Sequence, residues 1–387
     1  MPFAQLVVGF ISLIIWLYLA VARGGFWRVR EFDDDLAQHE APGAWPRVVA
    51  VVPARNEAAA IQQAVASLLQ QNYPGEFSVI LVDDHSEDAT AQLAQQAARD
   101  LGGESRIKIR SAALLPAGWT GKLWALHEGV SHADVARPAY YWFTDADIVH
   151  APDTLQRLVA RAERDQLDLT SLMVLLQAKT LPERALIPAF LFFFLKLYPP
   201  RWIADARART AGAAGGCILL CSDALDRIGG LSAIRGEVID DCAVARAVKG
   251  SGGKIWMGLT RASVSLRAYA TFSEIRDMIA RTAFTQLRYS PALLLGTLIG
   301  MFLTYLAPVT LLFAPGVTPR VFGVCAWALM CLLYLPTLRF YSLSPLWAPL
   351  VPGVAAFYSY GTVLSALRFW RGSGAQWKGR SQADRLR

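Results

Sequence analysis

A chain of 387 residues is long enough for one large domain or two ordinary ones. Hydrophobic residues make up 54% and charged residues only 18%, whereas soluble domains are about a quarter charged, which excludes an ordinary soluble protein over the full length. The formal net charge of +7 gathers beside apolar runs, at Arg23, Arg28 and Arg30 and again at Arg368, Arg371, Lys378, Arg380, Arg385 and Arg387. That placement suits anionic lipid headgroups, and no interleaved basic and aromatic stripe points to nucleic acid.

Phe3 to Ala22 is an apolar run able to cross about 30 Å of hydrocarbon. Ala20-Val21-Ala22 resembles a cleavage site, but no positive charge precedes the run and three arginines follow it. This asymmetry predicts an uncleaved anchor over 1–24, with its N-terminus outside and a cytoplasmic chain beyond. Residues 25–46 read as a linker to a catalytic domain over 47–289. Val48 to Val52 is a buried strand stopping at Pro53, and Ala58 to Gln71 has the apolar spacing of a helix. Val79 to Val82 is a second strand ending in Asp83-Asp84, and Glu87 to Leu101 a helix with Ser86 as its N-cap. Strands follow near Ile107, at Tyr140 to Thr144 and at Leu169 to Leu176, and a helix over Cys242 to Lys249. Alternating strands and helices predict an α/β fold with a mostly parallel sheet and ligands beyond the strands' carboxyl ends.

Leu186 to Tyr198 is short for a span and carries Lys196, so it reads as an interfacial segment. Three apolar runs, Ala292 to Ala314, Val321 to Leu338 and Leu346 to Leu367, form a C-terminal membrane region over 290–368 with a basic tail at 369–387. Three full crossings put that tail opposite the catalytic domain, against the positive-inside bias. A re-entrant third run, with Pro345, Pro349 and Pro352, is the alternative, and both stay open. The five cysteines, Cys217, Cys221, Cys242, Cys325 and Cys331, show no CxxC pair and no zinc-like spacing, so they read as small apolar side chains in a reducing compartment. The histidines His39, His85, His127, His132 and His150 form no ligand pair.

The first loop, Pro53-Ala54-Arg55-Asn56-Glu57, has no glycine, so it is no dinucleotide fingerprint, and a Walker loop is missing. The acidic clusters stand in their place. Asp83-Asp84 and Asp145-Ala146-Asp147 each close a strand, where carboxylates can converge on a hard cation such as Mg²⁺ or Mn²⁺ that neutralises a diphosphate. Aspartates also cap turns and helices, which is the ordinary reading for each pair alone. Glu237-Val238-Ile239-Asp240-Asp241 opens the later helix. One of its aspartates satisfies the helix N-terminus; as a functional reading, Asp241 is a general base.

The order of Pro-Ala-Arg-Asn-Glu, Val82-Asp83-Asp84-His85-Ser86, Gly118-Trp119-Thr120-Gly121-Lys122-Leu123-Trp124-Ala125, Asp145-Ala146-Asp147 and Asp240-Asp241 resembles family 2 glycosyltransferases with the GT-A fold. The resemblance covers Val48 to Tyr289, and the apolar segments are similar to ceramide glucosyltransferases and to bacterial hopanoid-associated glycosyltransferases. It implies a uridine pocket lined by Pro53, Ala54, Arg55, Glu57, Asp83 and Asp84, with Asp84 on the base edge. It also implies Lys122 near the phosphates, Asp145 near ribose and metal, Asp147 on the metal, and Asp241 with Asp240 as the catalytic pair. Asp240 replaces the family's usual Glu. The QxxRW motif is altered here to Gln286-Leu287-Arg288-Tyr289, one residue short, on the acceptor side. Trp377-Lys378-Gly379-Arg380 resembles a tail element of lipid-directed relatives and reads equally as a basic anchor.

The expectation is an inverting transferase of the inner membrane, with a cytoplasmic catalytic domain, that moves one sugar from a UDP-sugar to a lipid. A processive polysaccharide synthase, a non-catalytic UDP- or lipid-binding scaffold and a transporter are the alternatives.

Overall fold

The computed structural model describes residues 2–33, 43–133, 137–372 and the short pairs 376–377 and 380–381. Its contacts divide into two units. One comprises Met1–Arg30, Ala178–Arg201 and Tyr269–Ala375; the other comprises Glu31–Gln177, Trp202–Ala268 and Gln376–Arg387.

The second unit is built on eight strands: β1 (Val48–Ala54), β2 (Phe77–Asp83), β3 (Ile107–Ser111), β4 (Tyr140–Phe143), β5 (Ile148–His150), β6 (Leu169–Leu175), β7 (Ile218–Cys221) and β8 (Ile255–Ser265). Their order is β3-β2-β1-β4-β7-β6-β8-β5. β1 pairs in parallel with β2 and β4, β2 with β3, and β6 with β8. β7 runs antiparallel to β4 and β6, and β5 to β8, so the sheet is mixed but mostly parallel. Every residue of β1 is buried, as a valine-rich strand covered on both faces must be.

β1 does not stop at Pro53, as its sequence suggests. It pairs with β2 through Ala54↔Asp83, whereas its pairing with β4 ends at Val51↔Phe143. Val51 turns its carbonyl toward β4 and Ala54 turns its own toward β2. Pro53 therefore faces the side where β4 has already ended, and its missing N–H breaks no ladder bond. The helix expected from Glu87 begins later, over Thr90–Asp100. Ser86 is not its cap, because the Ser86 hydroxyl donates to Asp83. Asp88 accepts from the Thr90 N–H instead (3.0 Å). Strands β5, β7 and β8 were not legible in the sequence. The expected linker contributes Phe32, which bridges to Leu259 of β8, and Asp33, which accepts from the Thr260 hydroxyl (2.8 Å).

Among the described residues, the first unit holds four helices long and apolar enough to cross a membrane: Phe3–Val21, Pro291–Phe313, Val317–Phe340 and Pro345–Trp370. The second of these breaks into a π turn at Phe302–Leu306, ahead of Pro308. Proline cannot donate to the carbonyl four residues back, so Thr304 keeps a free acceptor. Trp16 Nε1 donates to it (2.7 Å), and the Ser12 hydroxyl donates to the Leu303 carbonyl (2.8 Å). The last of the four continues unbroken as a helix over Val351–Trp370, 20 residues or about 30 Å, the thickness of the hydrocarbon core.

The segment around Leu186 is a 17-residue helix, Leu181–Leu197, opened by a capping box between Thr180 and Glu183. Its Phe192 packs on Phe26 and Tyr334, and Phe193 packs on Tyr305 and Tyr358. His39, Lys378, Gly379, Arg385 and Arg387 lie outside the described residues, so the tail element is described only as the paired strands Gln376–Trp377 and Arg380–Ser381.

Candidate active site

Three neighbouring groups of side chains form at the carboxyl ends of β1, β2 and β4. The first is a corner around Arg55. Its guanidinium donates to the carbonyls of Asp84 and His85 and lies 3.9 Å from the Asp84 carboxylate, which is fully buried. The Asp84 N–H donates to the Ala54 carbonyl (2.8 Å). Asp83 accepts from Ser86, so it serves the turn itself. His85 sits in the left-handed region at φ 54°, a backbone conformation that favours glycine.

The second group lines a recess of about 300 Å³, its open mouth included, with Pro53, Lys122, Asp145, Gly215, Asp240 and Asp241 among its walls. Lys122, near the start of the helix Gly121–Ser131, bridges Asp145 (2.8 Å) and Asp240 (3.3 Å). Burial works against its charge, but the two aspartates outweigh that and raise its pKa above the ordinary lysine value. Asp241 is held by two backbone donors, the Gly215 N–H (2.9 Å) and the Cys242 N–H (2.6 Å). The second bond is the helix-terminus role that its position suggests. Withdrawal from water and the adjacent Asp240 charge push Asp241 up to about 6, against the pull of Lys122 and the two N–H groups. Burial also raises Asp145, with Asp147 adding to the shift.

The third group hangs on Arg267, two residues beyond β8. Its Nε donates to Asp147 (3.0 Å) and its Nη2 to Glu57 (2.9 Å), joining the loops after β4 and β1. Ser265 completes the contact to Asp147 at 3.4 Å.

Residues 49–228 match the family model for glycosyl transferase family 2. The chain carries a family 2 glycosyltransferase domain. It is 35% identical over 98 residues to the 4,4'-diaponeurosporenoate glycosyltransferase of Staphylococcus aureus (strain bovine RF122 / ET3-1). That match spans 25% of this chain and 23% of the relative. Among solved structures, the mannosyltransferase PcManGT from Pyrobaculum calidifontis, bound to GDP-Man and Mn²⁺, shares the fold. Its TM-score is 0.55 at 17% identity, over 93% of this chain and 98% of that one. The glycosyltransferase domain therefore has the GT-A fold, with a mixed, mostly parallel sheet.

The structural neighbour is bound to Mn²⁺, and acidic side chains gather in the second and third groups here. In these two groups Lys122 pairs with Asp145 and Asp240, and Arg267 pairs with Asp147 and Glu57. Among the described residues, no three His, Cys, Asp or Glu side chains form a metal cage. An Mg²⁺-like ion takes only one or two protein carboxylates beside phosphate oxygens and water, which Asp145 and Asp147 can supply.

Two residues of these groups escaped the sequence reading. Gly215 approaches so closely that a Cβ there would lie 3.1 Å from Lys122 Nζ and 3.4 Å from Asp241 Oδ2. Its only signal was the pair Gly215-Gly216 ahead of an apolar run. Arg267 gave no signal, because nothing in its surroundings forms a motif. Gln286, Arg288 and Tyr289 belong to the other unit. There, Gln286 donates to the Tyr198 hydroxyl (2.5 Å), Arg288 and Tyr289 take left-handed φ values of 52° and 55°, and Tyr289 stacks on Phe369 at 4.3 Å.

Of the cysteines, Cys217 and Cys242 are buried small side chains, whereas Cys325 is exposed. His150 is buried between Thr144 and Ser263, and burial pulls it down to about 3.

Proposed function

We propose that the protein transfers a single sugar from a UDP-sugar to a hydroxyl of a membrane lipid, with inversion at the anomeric carbon. The observation that carries this reading is Asp241: a carboxylate fixed by two N–H groups in an acidic recess, with its pKa pushed up to about 6. A general base works best when its pKa lies near the operating pH. As the acceptor oxygen attacks, its proton passes to Asp241, and the carbon–oxygen bond to the diphosphate breaks with its electron pair going to UDP. Lys122, held by Asp145 and Asp240, keeps a positive charge at the recess for the phosphates. A divalent ion on Asp147 and Asp145 would supply charge neutralisation for the leaving diphosphate, so no general acid is needed, unlike glycoside hydrolysis. Glu57 and Asp84, with Pro53, Ala54, Arg55 and Asp83, would form the uridine side.

Four apolar helices in the same chain support a lipid acceptor, and Arg23, Arg28 and Arg30 after the first of them favour the inner membrane with the catalytic domain on the cytoplasmic side. The similarity to hopanoid-associated transferases favours a hopanoid. The staphylococcal relative is named for an acceptor of its own, 4,4'-diaponeurosporenoate, which belongs among the trial acceptors.

The test is UDP release from UDP-sugars with a hopanoid, with ceramide, with diaponeurosporenoate and with no acceptor, beside a GDP-mannose control. Asp241→Asn should lose about 10²–10⁴-fold in turnover while UDP affinity changes little. Full turnover in that variant would remove Asp241 as the base, and UDP binding without turnover on any acceptor would make the protein a scaffold.

A further inference from the structure

Arg267 bonds two carboxylates from different loops, Asp147 after β4 and Glu57 after β1, and both belong to the nucleotide and metal side of the reading above. Its backbone N–H donates to the Ser265 hydroxyl (3.2 Å), which in turn reaches Asp147. The guanidinium therefore occupies the charge position that a cation on Asp147 needs. One third of its side chain is exposed, so solvent room exists for it to leave.

We propose that Arg267 is an exchangeable counter-ion: a divalent cation displaces it from Asp147, and the released guanidinium binds the diphosphate of the nucleotide donor. This rests on the reading of Asp147 as a metal ligand. Two cations on one carboxylate oxygen repel at contact distance, so the ion and Arg267 compete for Asp147. An arginine deprived of a carboxylate partner presents a planar fork of donors that matches phosphate oxygens. Glu57 remains as a tether that keeps the freed side chain near the site. The exchange would make metal and nucleotide bind in a concerted way, each improving the position of the other.

The experiment is titration of the full chain in detergent with Mn²⁺ alone, by calorimetry and by the Mn²⁺ electron spin resonance signal, followed by UDP at saturating Mn²⁺. Arg267→Gln should bind Mn²⁺ about ten-fold more tightly than the unchanged protein and UDP about ten-fold more weakly. Arg267→Lys, which keeps the charge but loses the fork, should leave Mn²⁺ affinity near the original value and weaken UDP. Thermal unfolding of both variants checks that they fold, and the lysine variant keeps the idea testable if the glutamine variant does not. A Mn²⁺ affinity that stays unchanged in Arg267→Gln, or a UDP affinity that neither variant lowers, would overturn the exchange. Asp147→Asn separates the two layers of the argument. Loss of Mn²⁺ binding there, with no gain in Arg267→Gln, sinks the exchange alone; unchanged Mn²⁺ binding in Asp147→Asn sinks the metal reading, and the exchange with it.

Discussion

Asp241 answers two demands with one carboxylate. Its bonds to the Gly215 and Cys242 N–H groups favour the charged form and fix its direction, while desolvation and Asp240 favour the neutral form and win. Because its folded pKa lies above the ordinary 3.8, its contribution to stability is complete at low pH and is lost as pH rises through about 6. The base has the opposite sign: it works once ionised, so kcat/KM should rise through an acid limb near 6. Asp240→Asn removes a neighbouring negative charge, which should lower the Asp241 pKa and move the limb to lower pH. Lys122→Met removes the nearby cation and should move it up. A pH–rate profile reads both shifts, and a limb that stays put in both variants would mean that another group titrates there.

At the scale of elements, the site depends on how closely the helix Gly121–Ser131 lies on β1. A Cβ on Gly129 would lie 2.3 Å from Val51 Cγ1 and 3.2 Å from Val82 Cγ2. This helix carries Lys122, and β1 delivers Pro53 to Glu57, so the glycine sets the spacing between the cation and the loop. Gly129→Ala should destabilise the sheet unit by about 1–3 kcal/mol and lower its melting temperature. A variant that melts at the original temperature would show that the helix can shift without strain. The helix Asp240–Gly250 has a different task, presenting two aspartates at its N-terminus, where the free N–H groups favour negative charge.

The whole molecule combines a sheet unit with a unit containing four helices of membrane-crossing length and composition. Phe3, Phe313 and Leu346 are each more than three-quarters exposed, which suits a lipid-facing surface. The last helix is unbroken for 20 residues from Val351, about the length that one crossing needs. Were all four helices to cross once, both ends of this chain would lie on one side of the membrane. Compartment-specific reporters at the two ends should therefore agree; disagreement would mean that one helix turns back within the bilayer.

Sequence alone determined the local grammar. Apolar periodicity located β1 to β4 and β6, and the strand-end acids Asp83, Asp84, Asp145 and Asp147 stood out because carboxylates beyond buried strands have few uses besides caps and cations, while Asp240 and Asp241 stood out at the opening of a helix. Apolar length alone also located the four candidate spans. Tertiary structure decided which charges meet. Lys122 lies between Asp145 and Asp240, and Arg267 between Asp147 and Glu57, across separations in the chain that no spacing rule covers. Gly215 acquired its role in the same way, through close approach of a backbone to a carboxylate. Periodicity and motif order are written between neighbours in sequence, whereas ion pairing and desolvation depend on distances that exist only after the strands are ordered.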